Sequence, residues 1–371
     1  MQTVLSWVLA CSTLMGCSIL GQADCANEAA ACADGSGCAT APCGTGGPSG
    51  SGGSDPGRPP FIIGADISWT LEDERGGAHY FDRGTQKDLV EILAEHGFNY
   101  VRLRTFVDPA AAGGYAEGAP EPWNDLEHTI EMAQRVRARG LGFLLNFHYS
   151  DTWADPGHQQ KPLAWQALPL EGLTARVYDY TAQSLSAFES AGAMPHLVQV
   201  GNEITAGMLH PDGQSYPQEN WPKLAALLQA GIAAVRDTDP SIRIILQIEK
   251  CNDNGASRWW LDSALAHGIE FDILAQSCYT AYHGTPSEWH ANFIDLAQRY
   301  PELSFIVGEY SHEKRAVNDL LFGLPDRRGL GSFIWEPTRW MESIFDRGTD
   351  QGYRSNPLID LYPTMASDYG L

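Results

Sequence analysis

The sequence predicts an α/β fold, a closed (β/α)8 TIM barrel, on three observations. Short apolar runs alternate with amphipathic segments, and eight such units follow one another along the chain. Together they span about 310 residues, a normal size for this barrel. A doubly wound open sheet is the alternative, but eight units at this spacing favour closure. No glycine-rich phosphate loop follows the first run, which argues against a dinucleotide site.

Eight apolar runs are the predicted barrel strands. Each has the length and the apolar continuity of a strand that is buried on both faces. In chain order they are FIIGAD (61–66), NYVRLR (99–104), LGFLLNF (141–147), HLVQVG (196–201), IRIILQI (242–248), FDILAQS (271–277), LSFIVG (303–308) and GSFIW (331–335).

Helix-like segments separate these runs. The segment TQKDLVEILAEHG (85–97) places Leu89 and Leu93 on one face and ends at Gly97. The longer segment at 173–192 repeats apolar residues at helical spacing. Both are therefore predicted to be helices that pack against the barrel.

The first sixty residues are predicted to be a leader and a tether. Residues 1–17 resemble a secretory signal peptide that ends in a bacterial lipobox, LMGC, with lipidation at Cys17. The first ten residues contain no Lys or Arg, so an ordinary secretory signal is the alternative. Residues 18–60 are rich in Cys, Gly, Ser and Pro, which predicts a flexible tether. Four cysteines, from Cys25 to Cys43, are expected to form two disulfides there.

The charge balance excludes one class of partner. The chain has 24 basic and 46 acidic residues and a formal charge of −22, without a visible basic face. A nucleic-acid partner is therefore not expected. The sequence predicts an exported, monomeric protein that is extracellular or is held at a membrane surface by a lipid anchor.

The carboxyl ends of the strands are where a barrel of this type builds its active site. Glu203 and Glu309 end the fourth and seventh strands, which face each other across a closed eight-stranded barrel. One such Glu alone is usually a surface charge or a helix-start residue. Two carboxylates across a cleft are what glycosidic-bond hydrolysis needs, one protonated and one ionised. Arg102, on the second strand, is placed to keep one of them anionic.

Four stretches resemble the endo-β-1,4-galactanases of glycoside hydrolase family 53, within the clan A retaining glycosidases. They are GADIS (64–68), NFHYSDTWADPGHQQKPLAW (146–165), VQVGNEITAGMLHPDG (198–213) and WEP (335–337). The resemblance implies that residues 61–371 are a catalytic domain that cleaves β-1,4-galactan, the side chain of type I arabinogalactan, by double displacement. It implies that Glu203 is the general acid/base and Glu309 the nucleophile.

The resemblance also implies roles for neighbouring residues. Asn202 is expected to hold the sugar 2-hydroxyl, and Arg102 and Tyr279 to hydrogen-bond the nucleophile. Trp335 is expected to form the floor under the −1 sugar. The other residues expected to line the cleft are Asp66, His148, Asp151, Trp153, Asp155 and His283. For Asp151 and Asp155, bracing of the long third loop is an equal alternative.

The chain departs from the family pattern in several places. Asn146 stands where Asp is usual, and Thr280 replaces a proline after the sixth strand. The fifth strand leads into QIEKCNDNG (247–255), where the family has a histidine and a glycine-rich loop. Cys251 and Cys278 follow neighbouring strands and are placed to form a disulfide.

Relatives often carry a calcium-binding loop after the seventh strand. Only 26 residues separate Glu309 from Trp335, and a helix-like segment fills most of them. No metal and no cofactor is therefore expected here, and the substrate is expected to be a polysaccharide.

Two alternatives to galactan hydrolysis stay open from the sequence. The altered loops fit a retaining hydrolase of another β-linked glycan, and a catalytically inactive, surface-tethered glycan-binding lipoprotein is the alternative from another class. A binding module has no need of both glutamates together with Arg102, Asn202 and Tyr279, which argues against it. Tryptophans predicted near the upper loops suit sugar stacking, although some are expected to be core; they are Trp69, Trp153, Trp165, Trp289 and Trp340.

Overall fold

The computed structural model describes residues 60–371. The predictions for the leader, for lipidation at Cys17, for the tether and for pairing among Cys25 to Cys43 lie outside these residues. The strands are β1 (Ile62–Asp66), β2 (His79–Asp82), β3 (Thr85–Lys87), β4 (Tyr100–Thr105), β5 (Gly142–Phe147), β6 (Leu197–Val200), β7 (Gly207–Met208), β8 (Gly213–Gln214), β9 (Arg243–Ile248), β10 (Ile273–Cys278), β11 (Ser304–Tyr310), β12 (Gly329–Trp335), β13 (Phe345–Arg347) and β14 (Gly352–Ser355). The α helices are α1 (Thr70–Arg75), α2 (Leu89–Glu95), α3 (Leu126–Ala138), α4 (Leu170–Ser190), α5 (Trp221–Thr238), α6 (Asn254–Ala266), α7 (Pro286–Arg299), α8 (Lys314–Phe322) and α9 (Leu361–Tyr369).

Eight parallel strands close into a barrel in the order β1, β4, β5, β6, β9, β10, β11, β12, with β12 pairing back to β1. Each of the eight predicted runs supplies one of these strands, and each strand is followed by at least one helix. The (β/α)8 prediction is therefore confirmed. The fourth and seventh strands of the prediction are β6 and β11, separated in the barrel by β9 and β10 on one side.

One predicted helix is partly wrong. Of the segment 85–97, the residues Thr85–Lys87 form β3, which pairs antiparallel with β2. The helix begins only after Asp88, whose side chain accepts a hydrogen bond from the backbone N–H of Glu91. An Asp in that position caps a helix from outside, so the preceding residues are free to join a sheet.

A second sheet, which the sequence did not predict, lies outside the barrel in the order β13, β14, β2, β3. Tyr80 of β2 and Tyr353 of β14 stack with ring centroids 5.5 Å apart, and Phe345 of β13 contacts Tyr80 edge to face. Because β13 follows β12 by a single loop, this sheet anchors the far end of the loop at 336–344. That loop borders the mouth of the barrel.

The barrel interior is apolar in its lower half and polar above. The apolar cluster consists of Ile62, Leu144, Leu197, Ile245, Ile273, Ala275, Ile306, Leu330 and Phe333. Gly64 is required beside it, because a Cβ there would lie 2.3 Å from Cδ1 of Phe333. Toward the carboxyl ends of the strands, buried polar residues replace the aliphatic ones, among them Arg102, Gln199 and Gln247. This change of character locates the candidate site at the upper end of the barrel.

Candidate active site

A cleft of about 710 Å³ opens at the carboxyl ends of the barrel strands. Ten of the twelve residues predicted for the site line it. They are Arg102, His148, Trp153, Asp155, Asn202, Glu203, Tyr279, His283, Glu309 and Trp335.

Asp66 and Asp151 do not line the cleft, so the placement predicted for Asp66 is wrong, and for Asp151 the structure fits the bracing alternative. Asp66 is fully buried and accepts a hydrogen bond from Nη1 of Arg102 at 2.8 Å, so it lies behind the arginine. Asp151 accepts the backbone N–H groups of Asp108 and Leu163 at 3.0 and 2.7 Å. It therefore braces the third loop, which was the alternative for this residue.

Glu203 leaves the end of β6 in an unusual backbone conformation. Its φ is +48°, in the left-handed region that a residue with a side chain adopts at a cost of about 1–3 kcal/mol. The side chain is buried, and Ser277 Oγ donates a hydrogen bond to Oε1 at 2.6 Å. Burial, followed by the negative charge of Glu309, raises the pKa of Glu203 well above its ordinary value. Glu203 is therefore suited to be the protonated carboxyl group.

Glu309 lies in an irregular part of β11. Gln276 of β10 pairs with Val307 and Ser277 pairs with Glu309, so the register shifts by one residue at this point. Three donors contact its carboxylate: Arg102 Nη2 at 2.9 Å and Gln247 Nε2 at 3.2 Å on Oε1, and Tyr279 OH at 3.1 Å on Oε2. Donors of this kind stabilise the ionised form and fix its orientation.

Tyr279 remains a donor in this environment. Its hydroxyl is buried, and burial together with the charge of Glu309 raises the pKa of the phenol well above its ordinary value. A neutral phenol donates its proton to Glu309 in a hydrogen bond and does not compete with it as an anion.

Arg102 organises the floor of the cleft. Its Nη2 donates to Asn202 Oδ1 at 2.8 Å and to Gln247 Oε1 at 2.9 Å, in addition to Glu309. Burial opposes the positive charge, but the carboxylates of Glu309 and Asp66 outweigh it and raise the pKa of Arg102 above its ordinary value. The guanidinium is therefore a permanent donor, since arginine has no acceptor atom.

The side-chain amide of Asn202 is held in one orientation by its hydrogen bonds. Its Oδ1 accepts from Arg102, from Asn146 Nδ2 at 3.0 Å and from Gln199 Nε2 at 3.1 Å. Its Nδ2 donates to the backbone oxygen of Ala154 at 2.8 Å, which leaves one further N–H. Because Asn202 lines the cleft, that N–H is available to a ligand oxygen.

Both histidines of the cleft are neutral. Burial, then the charges of Arg104 and Arg102, holds the pKa of His148 well below its ordinary value. Burial and Lys250 lower the pKa of His283 to about 4. Each Nδ1 accepts a backbone N–H, from Ala154 and Tyr279 respectively. At neutral pH they shape the cleft and supply no charge.

Tryptophans form one wall of the cleft. Trp335 contacts Trp340 and Trp69 with ring centroids 4.7 and 5.1 Å apart, and Trp153 completes the group. The guanidinium of Arg104 lies 4.4 Å from the ring centroid of Trp153, within cation–π distance. The two other tryptophans named from the sequence, Trp165 and Trp289, are 1% and 0% exposed and belong to the core.

Sequence reasoning missed several residues that complete the site. A signal was present, because each is a polar residue at the end of an otherwise apolar barrel strand or directly after it. They are Gln199, Gln247, Glu249, Lys250 and Ser277. Glu249 is buried and its carboxylate accepts a hydrogen bond from the hydroxyl of Thr205.

A disulfide joins Cys251 to Cys278, with their Cα atoms 5.3 Å apart. The sequence had left this pairing open. It connects the segment after β9 to the end of β10 and so fixes two neighbouring parts of the cleft rim. Glu249 and Tyr279 lie within two residues of the cross-link.

The segment after β11, where the family resemblance suggests a calcium-binding loop, is short, and the expectation of no metal stays a prediction. Within residues 60–371, no group of three or more His, Cys, Asp or Glu residues is arranged to hold a metal ion. Between β11 and α8 the chain contributes only Ser311, His312 and Glu313, which is too short a segment for a cage of six to eight oxygen ligands.

Comparisons with known proteins agree with this geometry. The sequence model described as "Glycosyl hydrolase family 53" matches residues 62–320. An arabinogalactan endo-beta-1,4-galactanase of Humicola insolens is 36% identical over 315 residues, covering 76% of this chain and 90% of that protein. An uncharacterised protein of Niallia circulans is 43% identical over 246 residues, covering 65% of this chain and 64% of that protein, so the match spans less than two thirds of its length. The solved Ignisphaera aggregans GH53 catalytic domain superposes with a TM-score of 0.74 at 30% identity, covering 83% of this chain and 97% of that chain.

Proposed function

The chain belongs to glycosyl hydrolase family 53, and from this premise we propose that it is a retaining, endo-acting hydrolase of β-1,4-galactan. The observation that carries the mechanism is the difference between its two carboxyl groups. Glu203 is buried and favours its protonated form, whereas Glu309 receives three hydrogen bonds that favour the ionised form. A general acid and a nucleophile need this separation of roles.

In the first step, Glu309 attacks the anomeric carbon while Glu203 gives its proton to the glycosidic oxygen. The bond between that oxygen and the anomeric carbon breaks, and a glycosyl ester forms on Glu309. In the second step, Glu203 takes a proton from water, whose oxygen attacks the anomeric carbon and releases Glu309. The free N–H of Asn202 is placed to bind the sugar 2-hydroxyl, and Trp335 to stack against the pyranose.

The substrate follows from the relatives. The Humicola insolens protein carries the name of an arabinogalactan endo-beta-1,4-galactanase, and so does one of Thermothelomyces thermophilus. The cleft is open and has an aromatic wall, which suits a chain of sugars bound along its length. Products from β-1,4-galactan that are oligosaccharides of several lengths would support endo cleavage; release of galactose alone would contradict it.

Two variants test the mechanism. Glu309→Gln should abolish turnover of an aryl β-galactoside with an activated leaving group, because the covalent step is lost. Glu203→Gln should still be glycosylated by such a substrate, since a good leaving group needs no proton, but should lose about 10²–10⁴-fold on galactan. Near-normal activity of Glu309→Gln in either assay would refute the nucleophile assignment.

The two alternatives from the sequence are separable from this proposal. A panel of β-linked glycans, assayed for new reducing ends, would identify a different polymer if galactan is not cleaved. A glycan-binding protein without catalysis would retain galactan on an affinity gel and release no reducing ends. The paired carboxyl groups and the donors around Glu309 support hydrolysis over binding alone.

Export and anchoring are part of the proposal. Residues 1–17 contain the leader and its lipobox, and cleavage before Cys17 leaves that residue to carry the lipid. Residues 18–60 are the tether, and the catalytic barrel acts as a monomer at the cell surface. Across residues 60–371, no helix has the length and apolar character needed to cross a membrane. Labelling with a radioactive fatty acid that is lost in Cys17→Ser would support the anchor, and unchanged labelling would contradict it.

A further inference from the structure

Ser277 connects the two carboxyl groups through a chain of hydrogen bonds whose direction is fixed. Ser277 is fully buried at the end of β10. Its Oγ accepts a hydrogen bond from Gln247 Nε2 at 3.0 Å and donates one to Glu203 Oε1 at 2.6 Å. Gln247 Nε2 also donates to Glu309 at 3.2 Å. One amide group and one hydroxyl group therefore bridge the proposed acid and the proposed nucleophile.

Arg102 sets the order of donors and acceptors along these hydrogen bonds. The guanidinium only donates, and its Nη2 lies 2.9 Å from Oε1 of Gln247. The oxygen of the Gln247 amide must therefore face Arg102, and its nitrogen must face Ser277. An N–H of Gln247 then occupies a lone pair of the serine oxygen. The serine oxygen keeps a second lone pair, but within residues 60–371 the serine hydrogen has no hydrogen-bond acceptor other than Oε1 of Glu203, and it is therefore directed there.

The consequence falls on Glu203. Its Oε1 accepts the serine hydrogen, so Oε1 cannot also hold a proton directed at Ser277. The other oxygen, Oε2, has no hydrogen-bond partner within residues 60–371, and Glu203 lines the cleft. We propose that Ser277 is a positioning residue that determines which oxygen of Glu203 carries the catalytic proton, keeping it on Oε2. This inference rests on the proposed function and specifies how its acid is oriented.

The kinetic test separates proton delivery from the rest of the reaction. Ser277→Ala should slow cleavage of galactan and of alkyl β-galactosides by about ten-fold or more, because these leaving groups need the proton. The kcat/KM for 2,4-dinitrophenyl β-galactoside, which reports the glycosylation step, should stay within about two-fold of the wild-type value, since that step needs no proton for this leaving group. Ser277→Thr, which keeps the hydroxyl group, should recover most of the loss. If Ser277→Ala does not fold, Ser277→Cys keeps the volume and replaces a strong donor by a weak one.

Ser332 provides a matched control. It is a buried serine of the barrel strand β12, and its hydroxyl donates to Asn318 instead of to a carboxyl group of the cleft. Ser332→Ala should lower the thermal midpoint without changing the dependence of rate on the leaving group. An equal loss on both substrate types in Ser277→Ala, or no loss on either, would overturn the proposal.

A titration of Glu203 tests the hydrogen bond from Ser277 without a measurement of catalysis. The charged and titratable groups that act on Glu203 are Glu309, Glu249, Arg102 and Tyr279, and Ser277→Ala leaves all four in place. The serine donor favours the ionised form, so its loss should raise the pKa of Glu203 further, as read by carbon-13 NMR of labelled carboxyl groups assigned with Glu203→Gln. An unchanged pKa would refute the bond. If the wild-type protein cleaves no galactan but this shift occurs, the proposed function fails and the positioning of Glu203 stands.

Discussion

Removal of the Cys251–Cys278 disulfide is predicted to lower stability by a calculable amount. The two cysteines are 27 residues apart in the sequence. A cross-link that closes a loop of this size reduces the entropy of the unfolded chain by an amount worth about 3.5 kcal/mol at 25 °C. At about 2.1 cal/mol/K of unfolding entropy per residue over residues 60–371, this corresponds to a fall of about 5 °C in the thermal midpoint. Both sulfur atoms are buried, so each Cys→Ala change costs about 1 kcal/mol more in lost packing.

A double-mutant cycle separates the cross-link from the packing. Each single variant loses the whole cross-link and one sulfur, about 4.5 kcal/mol, and the double variant loses about 5.5 kcal/mol. The free energies of unfolding, measured by denaturant titration followed by circular dichroism, should therefore be non-additive by about 3.5 kcal/mol. Additive single changes of about 1 kcal/mol each would refute the reasoning, because they would show two cysteines that are packed but not joined.

Three further predictions concern pH, packing and substrate contact. Burial raises the pKa of Glu336 from its ordinary 4.5 to about 8, so the folded state holds the proton more tightly than the unfolded state does. Stability should therefore fall as the pH rises from about 4.5 through 8, and Glu336→Gln should flatten that fall in thermal melts at several pH values. Gly64→Ala should lower the free energy of unfolding by about 1–3 kcal/mol, because the new Cβ meets the Phe333 ring. Gly172→Ala lies in α4 and makes only ordinary contacts, so it should raise the free energy of unfolding by about 0.5–1 kcal/mol. Equal effects of the two variants in denaturant titrations would contradict this. Trp335→Ala should weaken binding of galacto-oligosaccharides about ten-fold by calorimetry, through loss of about 1–2 kcal/mol of stacking, and unchanged affinity would remove Trp335 from the sugar site.

The barrel was predictable because its pattern is local. A buried parallel strand is a short apolar run, and the end of each run marks the end of a strand without any knowledge of its neighbours. Glu203 and Glu309 could be paired for the same reason, since strand order alone puts their strands on facing sides of a closed barrel. Strand β3 (Thr85–Lys87) was missed because its residues show no alternation of apolar and polar side chains. These residues form a strand only by pairing with β2.

The residues that line the cleft were predictable from the sequence, but the buried residues behind them were not. Residues at strand ends were correctly expected in the cleft, but Asp66 also ends a strand and faces Arg102 instead. The side chain at the end of a strand enters the cleft or the barrel interior according to the register of that strand with both of its neighbours. The sequence does not state that register. The same limit applies to the tryptophans, where Trp165 and Trp289 have the same chemical suitability as Trp335 but lie in the core.

The sequence by itself determined the fold class, the family and the pair of glutamates, because each depends on spacing along the chain. Tertiary structure alone decided the hydrogen bonds that distinguish the surroundings of the two glutamates. Arg102 meets Glu309 across 207 positions of sequence, and Ser277 meets Glu203 across 74. Contacts at such separations follow from closure of the barrel and from the register shift beside Glu309. A different tilt of the barrel strands, or a shift of one residue in the register beside Glu309, would leave the sequence pattern unchanged. It would nevertheless remove these hydrogen bonds.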